Sequence, residues 1–300
     1  MVWSNFNTID STAAVLAPAE FQVLIAVSTD GGSTFGPPQR VASYFELPDC
    51  ATYQNGRNPG RSCVPEKGAT NNSIFRAANY ASGGVNPTNP SQVVVSVGSY
   101  IGPNSRETNG CVPTGTSLFS FGGLYTGVKT PGACKNDILV SVSNNRGATF
   151  TGTTADPRTL PTAAPALSQA TADQWFQWLA FQPDGRLAVS YYDRQFGSDE
   201  TTGASDFSLA SSGDLANFRV RRASSGSSPA PTEFRGTFWG DYTGLAVSDG
   251  TALPIWSDTR AANVFLCPGS STGPGNPPRL CGRQDANGSA NDQDVFTTGG

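Results

Sequence analysis

Short apolar runs separated by turn residues set the rhythm of the chain. The segments 21–27, 93–100, 138–142, 187–192, 207–210 and 252–256 are rich in Val, Ile, Leu, Phe and Tyr. Runs of that length, bounded by Gly, Pro, Asn, Asp and Ser, predict β-strands. Two tight turns, Pro183-Asp184-Gly185 and Asp249-Gly250, join strands into hairpins. The pattern also repeats. The stretch 186–194 aligns with 252–260, Val2-Trp3-Ser4-Asn5 opens a third copy, and 93–100 is a looser fourth. A polar octapeptide ending in Phe follows three of the strands, at 28–35, 143–150 and 211–218.

Together these repeats define one unit: strand, tight turn, strand, long loop, strand, octapeptide turn, strand. A four-stranded antiparallel meander of this kind is a propeller blade. The expected fold is therefore all-β, a β-propeller read as one domain or a fragment of one across 1–300. Blade-like units fall at about 1–48, 70–155, 173–224 and 241–300. The first lacks its opening strand and the last stops before an octapeptide. A fragment of a larger propeller is thus expected over a small one that closes by joining its terminal strands. Unpaired blade edges make self-association a hazard.

The octapeptides resemble the Asp-box, S-x-D-x-G-x-T-[WF], of the sialidase-like (BNR-repeat) β-propellers. Ser28, Asp30, Gly32, Thr34 and Phe35 fill every defined position. In the second copy Ser143, Gly147, Thr149 and Phe150 match, with Asn145 in place of the acid, and the third copy is worn. Turn chemistry explains the pattern: a short acid and hydroxyls bond turn amides, and Gly takes the φ > 0 position. The resemblance implies that these turns are structural and lie away from any active site.

Composition narrows the function. With 34 Gly and 22 Pro, 37% hydrophobic and 14% charged residues, the chain suits many short strands joined by turns. A net charge of −4 lacks the basic footprint of a nucleic-acid binder. No apolar run approaches the roughly 20 residues of a membrane span. Histidine is absent, which excludes Ser-His-Asp and Cys-His catalysis and His-based zinc sites. Acid–base work is left to carboxylates, Tyr and Lys. Arginines far outnumber lysines, so guanidinium groups are the tools at hand for gripping anions. Six cysteines fall in three local pairs, Cys50 with Cys63, Cys111 with Cys134 and Cys267 with Cys281. They read as loop-stapling disulfides of an extracellular chain, although six cysteines allow about 15 pairings.

Alternation alone sorts the loops onto two faces. The octapeptides and tight turns share one. The long segments 101–136, 194–205 and 260–292 and the connections 48–69, 156–174 and 225–240 share the other, where sites usually sit. A sialidase resemblance implies a Tyr nucleophile activated by Glu, an Asp acid/base and three arginines clamping a sugar carboxylate. On this chain it points to Glu233 and Tyr242, with Asp241 and Asp193 as carboxylates, and to Arg194, Arg235 and Arg260 as the clamp. Trp239 and Trp175 are candidate sugar platforms. The family's R-I-P element is absent, and Phe75-Arg76-Ala77 departs from it. Asp193-Arg194 and Asp258-x-Arg260 recur at equivalent places, which also fits a structural acid–arginine brace.

Asp285, Asn287, Ser289 and Asp292 alternate oxygen side chains in a spacing that suits Ca²⁺ or, more plainly, a polar loop. No cofactor is required. The expected function is a secreted module that binds or cleaves glycans through its long-loop face. The alternatives are a non-catalytic glycan- or protein-binding propeller and a structural or adhesive surface domain.

Overall fold

The structure, a computed structural model, describes residues 1–6, 15–16, 20–49, 61–68, 74–117, 120–164, 172–196, 204–228, 240–260, 262–263, 290–291 and 294–298. In chain order its strands are β1 (Val2–Asn5), β2 (Val15–Leu16), β3 (Glu20–Ile25), β4 (Gln39–Phe45), β5 (Cys63–Pro65), β6 (Ile74–Arg76), β7 (Ala81–Val85), β8 (Val93–Ser99), β9 (Pro113–Ser117) and β10 (Gly123–Tyr125). There follow β11 (Asp137–Ser143), β12 (Gln174–Phe181), β13 (Leu187–Asp193), β14 (Asp206–Ser212), β15 (Arg219–Arg222), β16 (Gly244–Ser248), β17 (Thr251–Asp258), β18 (Ala262–Asn263), β19 (Ala290–Asn291) and β20 (Asp294–Thr297). The described residues contain no α-helix.

Four antiparallel sheets form the body: β1-β3-β4, β7-β8-β11, β12-β13-β14-β15 and β16-β17-β20. They pack in series through their leading strands, β1 on β7, β7 on β12 and β12 on β16. This is the all-β, propeller-like arrangement that the meander pattern predicts. In the second sheet the fourth position is irregular. The 160–163 stretch pairs with β11 through Val140 N to Pro161 O (2.8 Å) and Ala163 N to Ile138 O (2.9 Å).

Strand alternation fills the spaces between sheets. On β8, Val95 and Val97 face Phe21, Val23 and Tyr44 of the first sheet, while Val94 joins Leu187, Val189 and Tyr191 of the third. On β13, Ala188 turns the other way, toward Leu245 and Ala252 of the last sheet. Strands buried on both faces read as continuous apolar runs, which is why 93–97 and 187–192 stood out in the sequence.

The octapeptide turns share one hydrogen-bond plan. Asp30 accepts from Thr34 N (2.9 Å) and Thr34 Oγ1 (2.6 Å), and Ser28 Oγ accepts from Gly32 N (2.8 Å). Asn145 and Ser143 do the same for Thr149 N and Gly147 N, each at 2.8 Å. Gly32 and Gly147 hold φ of 93° and 86°, where a Cβ would strain the backbone. In the worn third copy Ser212 pairs with Asp214, and Asn217 N and Nδ2 replace the threonine. That turn is one residue shorter, and Leu215 takes the positive φ of 60°.

Beneath the long loops, buried polar groups tie three sheets together. Asn79 and Asn136 exchange side-chain amide bonds, both at 2.9 Å. Asn136 Nδ2 also donates to Gln174 O (2.6 Å), and its backbone N donates to Asp173 Oδ1 (2.8 Å). Asn79 N donates to Glu46 Oε1 (2.8 Å). Gly98 makes room for the pair, since a Cβ there would stand 2.0 Å from Asn79 Oδ1. The 101–136 excursion above it is stapled by Cys111–Cys134, with Cα atoms 5.4 Å apart. Cys63 is also disulfide-bonded. Cys50, Cys267 and Cys281 lie outside the described residues.

Replacing Asn136 by Ala leaves the buried Asn79 Oδ1 without its donor, while Asn79 Nδ2 keeps Phe45 O (3.2 Å), at a cost of about 1–3 kcal/mol. Urea denaturation is expected to show that loss with an unchanged slope. A loss within error of zero would remove the amide pair from the determinants of the fold.

Candidate functional site

The inner strands β7, β12 and β16 all start at one mouth of the stack, and the side chains just ahead of or just inside them converge there. Arg76 ends β6, Tyr80 immediately precedes β7, Phe176 is the third residue of β12, and Asp241 and Tyr242 precede β16. With Arg61 they line an open cleft of about 480 Å³, closed on another side by Trp3 and Phe6 of the first sheet.

Backbone irregularity at the cleft aims one of these rings. The β12–β13 register shifts between Trp175 and Trp178, and Phe176 holds φ of 53°. A bulky residue in the left-handed region is a genuine outlier, and bulges of this kind re-aim side chains next to sites. Thr243 Oγ1 fixes the distortion by donating to Phe176 O at 2.7 Å. The result is an aromatic floor. Tyr80 stacks on Phe176 with centroids 5.8 Å apart and meets Tyr242 edge-on at 5.9 Å. Tyr242 itself is 74% exposed, so a planar face is offered to solvent.

The charges at the cleft are mixed. Arg76 Nη2 lies 3.9 Å from Asp241 Oδ1, a long pair with the acid more than half exposed. Burial, then the like charge of Arg61, pulls Arg76 below its ordinary value, while Asp241 opposes the shift. Two guanidinium groups held at one opening favour an anion between them. Behind the cleft, Glu46 is wholly buried. Burial pushes its carboxyl up to about 8, against the two N–H donors of Asn79 and Leu47. Burial likewise pushes the Tyr80 hydroxyl up to about 12.

Of the residues singled out in the sequence, the structure brings Asp241 and Tyr242 together here. Asp193 lies elsewhere, buried. The Ser208 hydroxyl and Gln195 Nε2 donate to it, and burial pushes it up to about 6. Arg194 is enclosed: its Nη1 donates to Pro65 O (2.8 Å), lies 3.8 Å from Asp173 Oδ2, and the guanidinium covers Trp175 at 5.4 Å. Trp175 is wholly buried, stacked on Tyr192. Arg260 clasps Asp258 at 2.8 Å and donates to Ser225 Oγ at 2.7 Å.

Glu233, Arg235, Trp239, Asp285, Asn287, Ser289 and Asp292 lie outside the described residues. Among the described residues no group of three or more Cys, Asp or Glu side chains is placed to hold a metal ion. Arg61, Tyr80 and Phe176 belong to no sequence motif, and Arg76 sits in a segment that departs from R-I-P. Loop alternation places 48–69 on this face, and Arg76 and Tyr80 flank the step into an inner strand.

The molecule is thus an all-β, propeller-like stack with an arginine- and tyrosine-lined mouth. No family model matches its sequence, and no curated protein matches it. Among solved structures it is similar to the Hadza microbial sialidase Hz136, at 13% identity and a TM-score of 0.40 over 81% of this chain. The chain spans 37% of that protein's length.

Glu46 gives the fold a pH signature. Its folded value of about 8 lies above the ordinary 4.5, so the unfolded chain ionises first and stability declines as pH rises from about 4.5 to 8. The slope for one such group is up to about 1.4 kcal/mol per pH unit. Glu46→Gln keeps the accepting Oε1 and is expected to flatten this decline in melting curves recorded between pH 5 and 8. An identical pH profile in the variant would show that Glu46 ionises freely when folded.

Proposed function

We propose that this protein is a secreted, sialidase-like glycan-binding propeller that takes a carboxylate-bearing sugar in the Arg61–Arg76–Tyr242 cleft. One observation carries the reading: two guanidinium groups and an exposed aromatic face line a single opening of about 480 Å³. Arginine matches a carboxylate bidentately, and an aromatic face suits the apolar side of a sugar ring. The octapeptide turns, of Asp-box type, and the propeller-like stack support the same family of folds. The Cys111–Cys134 disulfide supports an oxidising compartment. No helix among the described residues is long and apolar enough to cross a membrane.

Cleavage at the same mouth is the second reading. Its specific support is that Tyr242 and Asp241, a hydroxyl and a carboxylate of the types a sialidase uses, stand beside Arg76. Glu233 would be the partner that activates the tyrosine.

Titration with a sialylated oligosaccharide, run beside a fluorogenic sialoside assay, separates these readings. Arg76→Ala is expected to weaken binding about tenfold or more, as loss of a charge-assisted contact implies. Tyr242→Phe should spare binding while abolishing any turnover. A folded protein that neither binds the sialylated oligosaccharide nor cleaves the sialoside would overturn both.

A further inference from the structure

On the opposite face, three adjacent strands of the third sheet bring two cations and a serine around a second hollow. Arg186 lies one residue before β13, and Ala188, Ser211 and Arg219 stand directly opposite one another across β13, β14 and β15. Side chains two residues apart share a face, so Arg186, Ser211 and Arg219 project together. They line a hollow of about 280 Å³ with Ser212, Gly213 and Asn217. Arg221, two positions on and exposed, extends the same side of β15 by roughly 6–7 Å.

Arg186 and Arg219 are both exposed and make no ion pair among the described residues, where Arg158, Arg222 and Arg260 all do. The nearby acids are engaged by their own turns. Asp184 accepts from Arg186 N at 3.0 Å, and Asp214 takes bonds from Ser212, Ala216 and Asn217. Two uncommitted guanidinium groups, a hydroxyl and an amide around one hollow therefore stand out on a chain of net charge −4.

We propose that this hollow binds a sulfate or phosphate ester carried on a polysaccharide. A tetrahedral oxyanion satisfies two guanidinium forks at once, and the volume leaves room for the sugar that bears it. Arg221 then reaches a neighbouring ester along the same chain. No aromatic residue lines the hollow, so the stacking platform that single-stranded nucleic acids use is missing. The site is independent of the cleft at the other mouth.

Calorimetry with a heparin oligosaccharide, its desulfated counterpart, inorganic sulfate and phosphate, and a DNA duplex of matched charge tests this. The expected result is salt-sensitive binding of the sulfated oligosaccharide that falls about tenfold or more in the Arg186→Ala/Arg219→Ala double variant. Arg40→Ala, which removes an exposed cation of the first sheet, should leave it unchanged, and near-UV circular dichroism confirms that both variants fold. Equal loss in Arg40→Ala, equal affinity for DNA, retention by the desulfated chain, or binding of the free ions alone would each overturn the proposal.

Discussion

The cleft depends on a pair of amides that never touch solvent. Asn79 and Asn136 bond each other across β8, in space that only a glycine at position 98 leaves open. One end of the pair reaches Glu46 of the first sheet, and the other reaches Gln174 and Asp173 at the start of the third. Buried polar groups of this kind cost heavily when unpaired, so a fully connected set locks its members into one arrangement. Tyr80 is the residue after Asn79, and Phe176 lies two beyond Gln174. The positions of both cleft rings are thereby inherited from the amide pair.

A ladder of rings adds a second constraint running from the core to the surface. Trp256 stacks on Phe207 at 4.7 Å, Phe207 meets Tyr192 at 4.8 Å, and Tyr192 meets Phe75 at 5.0 Å. Phe75 meets Phe176 at 5.8 Å, from which Tyr80 and Tyr242 lead to solvent. Each contact is individually modest, about 0.5–1.5 kcal/mol beyond burial. Their sequence matters more than their sum. It presents the exposed Tyr242 on a base that cannot easily shift, which lowers the entropy lost when a ligand is gripped.

The strands were legible because their burial is regular. Doubly buried runs such as 93–97 and 187–192 and tight turns such as 183–185 follow from local chemistry, and the sheets form where these runs predict. The octapeptide turns were legible for the same reason, since their hydrogen bonds close within five residues. The cleft was not. Arg61, Arg76, Tyr80 and Phe176 come from three separate stretches, and nothing local to Phe176 announces a bulge with φ of 53°. Only the topology, which starts every inner strand at one mouth, brings them together.

Repetition itself accounts for the acid–arginine pairs that the sequence carries twice. Asp193-Arg194 and Asp258-x-Arg260 recur because the third and last sheets each anchor the loop that leaves their second strand. Asp193 is bonded to Ser208 and Gln195, and Asp258 to Ser228 and Arg260. What recurs between repeats answers a need that those repeats share, and a binding site is by its nature not shared. The informative arginines are those without an equivalent: Arg76 at the end of a short strand, Arg61 in a long connection, Arg186 in the turn before β13, and Arg219 on the edge strand β15. In a repeat fold, function is to be sought where the repeat breaks, and here it breaks at both mouths of the stack.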